Sequence, residues 1–255
     1  MARSQPKTVT VARAHAQSSF IAALERRLSD APPRLKSERT RERIRIAAAK
    51  VLSEKGFHST RVIDITAEAE LAEGSFYVYF NDKLEVAHDV LTALLEEHLA
   101  SYVHADETRD PYEAIFKANA RWIAVARSNA GLIRCLLQVG EEVAPLERMT
   151  QRKNRDWYGR VARGVVKRLP SMQLLPEDHL IFLAYALGAM MDELLRKHIV
   201  YPDPEFGKLL SRLKLDDEGL AAVTSVIWLR LLYPSASPPR KLCAAAATLS
   251  RWLTE

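Results

Sequence analysis

Arg61-Val-Ile-Asp-Ile-Thr-Ala-Glu-Ala-Glu-Leu-Ala-Glu-Gly-Ser-Phe-Tyr-Val-Tyr-Phe-Asn-Asp-Lys83 decides the fold. Val62, Ile65 and Ala69 recur at i, i+3 and i+7, which predicts a two-turn helix with one buried edge. Glu70-Leu71-Ala72 reads as a turn with Leu71 pointing inward. Gly74 to Phe80 reads as a second helix. Phe76 and Phe80, four apart, share its core face, leaving Ser75, Tyr77, Val78 and Tyr79 on the other sides. Paired helices of this kind place the second in the major groove of a duplex. Short polar and aromatic side chains there suit base edges, thymine methyls and phosphate oxygens. Asp82 is placed to cap the next helix, with Glu85 three residues on as in a capping box, and Lys83 can reach a phosphate. The competing reading is a helical hairpin that merely packs, with Tyr77 and Tyr79 covering core.

Upstream, residues 38–55 predict a helix with Ile44, Ala48, Val51 and Leu52 as its inward stripe. Ser37 is its expected N-cap, and Gly56 its expected left-handed terminator. Arg39, Arg41, Arg43 and Arg45 crowd its first turns, where basic residues oppose the helix dipole. A phosphate partner explains that placement better than helix stability does. Residues 1–61 hold 14 Lys/Arg against 5 Asp/Glu, a net of +9, while the other 194 residues net −4. A basic front on a mildly acidic body is the footprint of one end meeting phosphates; a solvated basic tail is the alternative. Residues 17–29 predict a short helix with Phe20, Ile21, Leu24 and Leu28 on one face. It reads either as an arm toward DNA or a second subunit, or as a tail that packs on its own domain or stays disordered, the second reading being favoured.

Residues 38–91 resemble the DNA-binding domain of the TetR/AcrR family of bacterial helix-turn-helix regulators, above all in the run Gly74-Ser-Phe-Tyr-Val-Tyr-Phe-Asn-Asp-Lys83. The resemblance implies that Ser75, Tyr77 and Val78 face bases and that Tyr79, Lys83, Thr60 and Arg61 hold phosphates. Three positions depart from the pattern. Glu70 stands where a turn glycine is usual, Ala72 where a Ser or Thr cap is usual, and Glu73 where a basic residue is common. An acid at Glu73 repels phosphate but could accept from a cytosine amino group. DNA affinity is therefore expected to lean on Arg39, Arg41 and Arg43.

Beyond Lys83 nearly every segment has a helical period: a helix to about Val103, two across 112–139, a charged one at 145–169, then 177–197, 217–233 and 239–254. The expected fold is all-α, with a basic extension at 1–36, the helix-turn-helix domain at 37–83, and a helical effector-binding and dimerisation domain at 84–255. The resemblance implies a homodimer through 177–197 and 217–233 and a small-molecule pocket in the body. Candidate lining residues are Phe116, Trp122, Ile123, Trp157, Tyr185, Met190 and Met191, with Asp192, Arg121 or Arg134 as a polar anchor. Their apolar bias favours a hydrophobic or acyl-type effector. Cys135 and Cys243 read as small buried hydrophobes, since two distant cysteines build no disulfide framework. The histidines show no metal spacing, and neither a phosphate loop nor a nucleophile elbow occurs. No enzyme activity, metal or cofactor is expected, and a cytoplasmic protein without a membrane span is. The implied function is a repressor released from a palindromic operator by its effector. The alternatives are an activator with the same head, or a helical interaction module that binds no DNA.

Overall fold

The computed structural model describes residues 19–100, 108–140, 143–169 and 175–253. Among them every regular element is helical, and no helix is long and apolar enough to cross a membrane. Two compact units emerge: Met1–Ala100 with Val125–Thr150, and Ser101–Ala124 with Gln151–Glu255.

The first unit is built on α2 (Lys36–Lys55), which packs against α1 (Phe20–Asp30), α3 (Val62–Glu68), α5 (Lys83–Ala93) and α7 (Ala130–Gly140). Neighbours on so many sides explain why the buried set of α2 exceeds the expected stripe. Ile44, Ala48, Val51 and Leu52 are buried, and so are Ile46, Ala47, Ala49 and the aliphatic stem of Arg45. Leu35 rather than Ser37 is the N-cap of α2, and it makes no side-chain capping bond. Gly56 ends α2 at φ 77°, ψ 167°, so the positive φ is met in an extended rather than a helical left-handed form.

α1 packs on its own unit, as favoured from the sequence. Ser19 caps it, Phe20 and Leu24 are buried, and Phe20 N–H donates to Asn129 Oδ1 at 2.8 Å. Phe20 also meets the buried His98 ring at 5.5 Å, where α5 widens into a π-helical stretch at Leu94–Leu99. The expected end of this helix, near Val103, lies outside the described residues. Cys135, on α7, is buried with its thiol donating to Leu52 O at 3.1 Å, and burial pushes its pKa up to about 11.

The second unit gathers α6 (Pro111–Ser128, through Ala124), α8 (Ala144–Arg168, from Gln151), α9 (Glu177–Leu195), α11 (Asp217–Leu232) and α12 (Ala244–Trp252). Its main core joins Ile115, Ala162, Val165, Leu180, Leu187, Trp228, Leu229 and Leu232. A smaller cluster of Ala222, Val226 and Ala246 takes Tyr112 and Phe116 against it. Asn119 Nδ2 donates to the hydroxyls of Thr224 and Ser225 at 3.3 and 3.1 Å, which satisfies polar groups inside that core. The last helix starts at Ala244, five residues later than expected, and Cys243 before it is exposed rather than buried. One helix went unforeseen: α10 (Pro204–Arg212). Its signal is present in Asp203-Pro204-Glu205, because Asp203 Oδ1 accepts from the N–H groups of Glu205 and Phe206 with proline in the first turn.

Candidate nucleic-acid interface

α3 and the short α4 (Glu73–Phe76) form the paired helices. Ile65 and Ala69 bury the inner edge of α3, while Leu71 is half-buried in the turn. Glu70 carries φ 55°, so a residue with a β-carbon occupies the left-handed conformation that glycine adopts without strain. Ala72 is the N-cap of α4 and offers no side-chain acceptor. Regular helix lasts only through Phe76, short of the expected end at Phe80. Tyr77 to Tyr79 continue as a tight turn, with Tyr79 N–H donating to Phe76 O at 2.9 Å and Phe80 N–H to the same oxygen at 3.0 Å. Phe76 and Phe80 anchor this turn at 0 and 1% exposure, with ring centroids 5.8 Å apart. Tyr77 and Val78 are pushed outward, to 55 and 76% exposure. Glu73 is exposed beside them, and Ser75 and Tyr79 are half-buried.

At the far end Asp82 caps α5 by accepting from Glu85 N–H at 2.8 Å. The return bond differs by one residue from the expected box, since Glu85 Oε2 accepts from Asn81 N–H at 2.7 Å and from Asn81 Nδ2 at 2.8 Å. Lys83 Nζ donates to Phe57 O at 3.0 Å and sits 4.5 Å from the centre of the Phe57 ring. Thr60 is 1% exposed, with its hydroxyl donating to Gly56 O at 2.7 Å. Arg61 is the exposed N-cap of α3, and its N–H donates to Asp64 Oδ2 at 3.0 Å. Lys55, hydrogen-bonded to Asp64 at 2.8 Å, and the Arg61 N–H hold that carboxyl below its usual range.

The arginines of α2 turn toward protein partners. Arg39 donates to the carbonyls of Pro33 and Arg34, both at 2.9 Å. Arg41 lies 2.9 Å from Asp89 and 4.8 Å from the Phe80 ring centre. Arg43 donates to Ala69 O at 2.6 Å, filling an orphan carbonyl at the end of α3. Arg45, also buried, meets Asp89 Oδ2 at 2.8 Å. These contacts were missed because arginines two apart lie about 200° around a helix. Arg41 and Arg45, four apart, share the face toward Asp89, whereas Arg39 and Arg43 share another.

The candidate lining residues all lie in the second unit. Trp157 and Met190 belong to the main core of the second unit, Phe116 to the smaller cluster, and Ile123 and Met191 are buried. Tyr185 is 42% exposed, with its ring centroid 3.9 Å from that of Tyr158 and tilted 37° to it. Trp122 Nε1 donates to Asp192 Oδ1 at 3.3 Å. One turn before Asp192, Gly188 lets Tyr158 and Trp157 close on α9: a β-carbon there would fall 2.6 Å from Tyr158 Cε1. Surface clefts open elsewhere. One is lined by Glu25, Leu28, Arg43, Lys50 and Glu70, another by Leu175, His179, Phe182 and Leu183, and neither holds any of the seven candidates.

With this geometry in place, residues 44–90 match the family described as bacterial regulatory proteins, tetR family. This stretch of the chain is thus a domain of the tetR type. An uncharacterized HTH-type transcriptional regulator, YvdT of Bacillus subtilis, is 37% identical over 70 residues, 26% of this chain and 36% of the relative. The fatty acid metabolism regulator protein of the same organism is 33% identical over 61 residues, 24% of this chain and 29% of the relative. These matches span about a third of the length of the curated relatives. Across most of the chain the fold is similar to that of a tetR-family regulator from Streptomyces coelicolor, with TM-score 0.60, 13% identity, and coverage of 85% of this chain and 96% of that one. The fatty acid degradation regulator FadR from Bacillus halodurans gives TM-score 0.53, 18% identity, and coverage of 78 and 97%. At such identities the likeness is one of fold. It supports an all-helical protein whose N-terminal helix-turn-helix domain is followed by a helical C-terminal domain.

Proposed function

We propose that this chain is a DNA-binding transcriptional regulator, a repressor that holds a palindromic operator as a homodimer and leaves it when a small apolar effector binds the body. The observation that carries this reading is the outward pair Tyr77 and Val78, beside Ser75 and Glu73, on a helix end fixed from behind by Phe76 and Phe80. A packing hairpin would turn those two side chains inward. Tyr77 and Val78 would read base edges and thymine methyls, with Arg61, Tyr79 and Lys83 nearest the phosphates. Arg43 ties α2 to the end of α3, Arg41 ties it to Asp89 and the Phe80 ring, and Arg39 closes on the Pro33 and Arg34 carbonyls ahead of α2, so these guanidinium groups contribute chiefly through the protein partners they already have.

Dimerisation is proposed through α9, which leaves Phe182, Tyr185, Ala186 and Ala189 exposed along one side. α11 spends most of its surface on its own core and offers Leu231, with Val223 and Ile227 half-buried. For the effector, the body around Trp122, Trp157, Met190 and Gly188 is apolar and aromatic, with Asp192 as the polar end. A relative named for fatty acid metabolism is in keeping with an acyl-type molecule there. Such an effector acts by population shift, binding best the dimer whose head spacing mismatches major grooves about 34–36 Å apart.

A gel shift on the duplex upstream of the protein's own gene tests the reading. Tyr77→Ala is expected to weaken binding by about 1–3 kcal/mol. A variant that binds as tightly as the parent would show that Tyr77 reads no base.

A further inference from the structure

We infer that the outer face of α8 is a second polyanion-binding surface, which holds double-stranded DNA by its phosphates outside the sequence that the head reads. The choice of a duplex as partner rests on the regulator reading; the surface itself does not. α8 carries eight basic residues against Glu147 and Asp156, a net of +6 within 25 residues, more than the +5 of the whole chain. The rest of residues 62–255 therefore nets −10, so this charge is segregated rather than shared. Arg152, Arg155, Arg160, Arg163 and Lys167 are all exposed. At 100° per residue they fall within an arc of about 140°, extending some 22 Å along the helix.

Two observations separate this face from an ordinary solvated one. Several surface charges on other helices are paired: Lys117 with Glu113, Arg196 with Glu193, Lys208 with Glu205. On α8 none of the five cations is in an ion pair among the described residues, and Asp156, four residues from both Arg152 and Arg160, closes with neither. Arg152 with Arg155, Arg160 with Arg163, and Arg163 with Lys167 are instead like-charged neighbours at i+3 or i+4, an arrangement that destabilises a helix. An anionic partner relieves that repulsion.

The partner's class follows from what the face lacks. Tyr158, Ala162 and Val165 turn the apolar side of α8 into its own core, leaving Val166 as the exposed large aliphatic on the arc. An amphipathic helix held in a lipid surface inserts apolar side chains, and a protein partner needs a buried anchor. Four guanidinium groups and an ammonium along 22 Å suit phosphates that place one charge about every 1.7 Å of duplex.

The test uses the full chain with Arg152→Gln, Arg155→Gln, Arg160→Gln and Arg163→Gln combined, and thermal melting to verify the fold. Affinity for a 40-base-pair duplex of random sequence is followed against potassium chloride concentration, with a parallel titration of phosphatidylserine vesicles. Loss of four phosphate contacts is expected to flatten the log–log salt slope by about 3–4. Tyr77→Ala should leave that slope nearly intact. An unchanged slope in the quadruple variant overturns the α8 surface while leaving the head reading in place. A parent that binds no duplex at low salt overturns both, and binding lost to vesicles but not to DNA replaces the duplex with a membrane.

Discussion

Glu70 shows what a single position costs. At φ 55° its β-carbon crowds the backbone, a penalty of about 1 kcal/mol, and its carboxylate gains only a 4.0 Å approach to Arg43 while remaining largely in water. Glu70→Gly is expected to raise the melting temperature by about 2–4 °C. A lowered melting temperature would mean that the Arg43 contact outweighs the strain. Residues of this kind were legible in advance, because a turn between two helices dictates its backbone whatever side chain fills it. The outward placement of Tyr77 and Val78 was legible for the same reason, since period 3.6 puts Phe76 and Phe80 inside. The arginines and Thr60 were not. Composition shows that charge is present, but only the neighbours Asp89 and Ala69 O show where the guanidinium groups go, and only Gly56 O shows where the Thr60 hydroxyl goes.

At the scale of elements, α1 illustrates how a helix ahead of the paired helices becomes structural. Phe20 reaches α7 through Asn129 and the π-helical stretch through His98, while Arg27 pairs with Glu97 at 2.8 Å and Lys50 with Glu25 at 2.9 Å. The ion pairs are exposed and contribute little, so burial of Phe20 and Leu24 sets the strength of docking. Phe20→Ala is predicted to cost about 3–5 kcal/mol in denaturant unfolding. A loss below about 1 kcal/mol would show α1 to be loosely held. The amphipathic pattern foretold this helix, and helical period foretold most of the others. α10 escaped because Pro202 and Pro204 look like chain breakers, although an Asp cap followed by proline begins a helix as readily as it ends a segment.

On the scale of the whole molecule, the all-helical fold was legible because nearly every segment carries period 3.6. Which residues would line an effector site is less legible, because aromatic and methionine residues at helical spacing mark core equally well: Trp157 and Met190 pack on one cluster and Phe116 on another. The open side of α9 makes the sharper prediction. Phe182 is 71% exposed within an apolar stripe, more than a monomer has reason to show water. Phe182→Glu is expected to shift sedimentation from dimer toward monomer with the fold retained, whereas an unchanged dimer would move the seam elsewhere.

The central claim is that the turn carrying Tyr77 and Val78 reads a duplex sequence. Selection of bound fragments from a random duplex pool addresses it most directly, run on the parent and on Tyr77→Ala/Val78→Ala in parallel. The parent is predicted to enrich a palindrome whose half-sites lie one helical turn or a multiple apart, and the double variant to lose that enrichment while keeping salt-sensitive binding. Enrichment of the same motif by both proteins, or of none by the parent, would contradict the account.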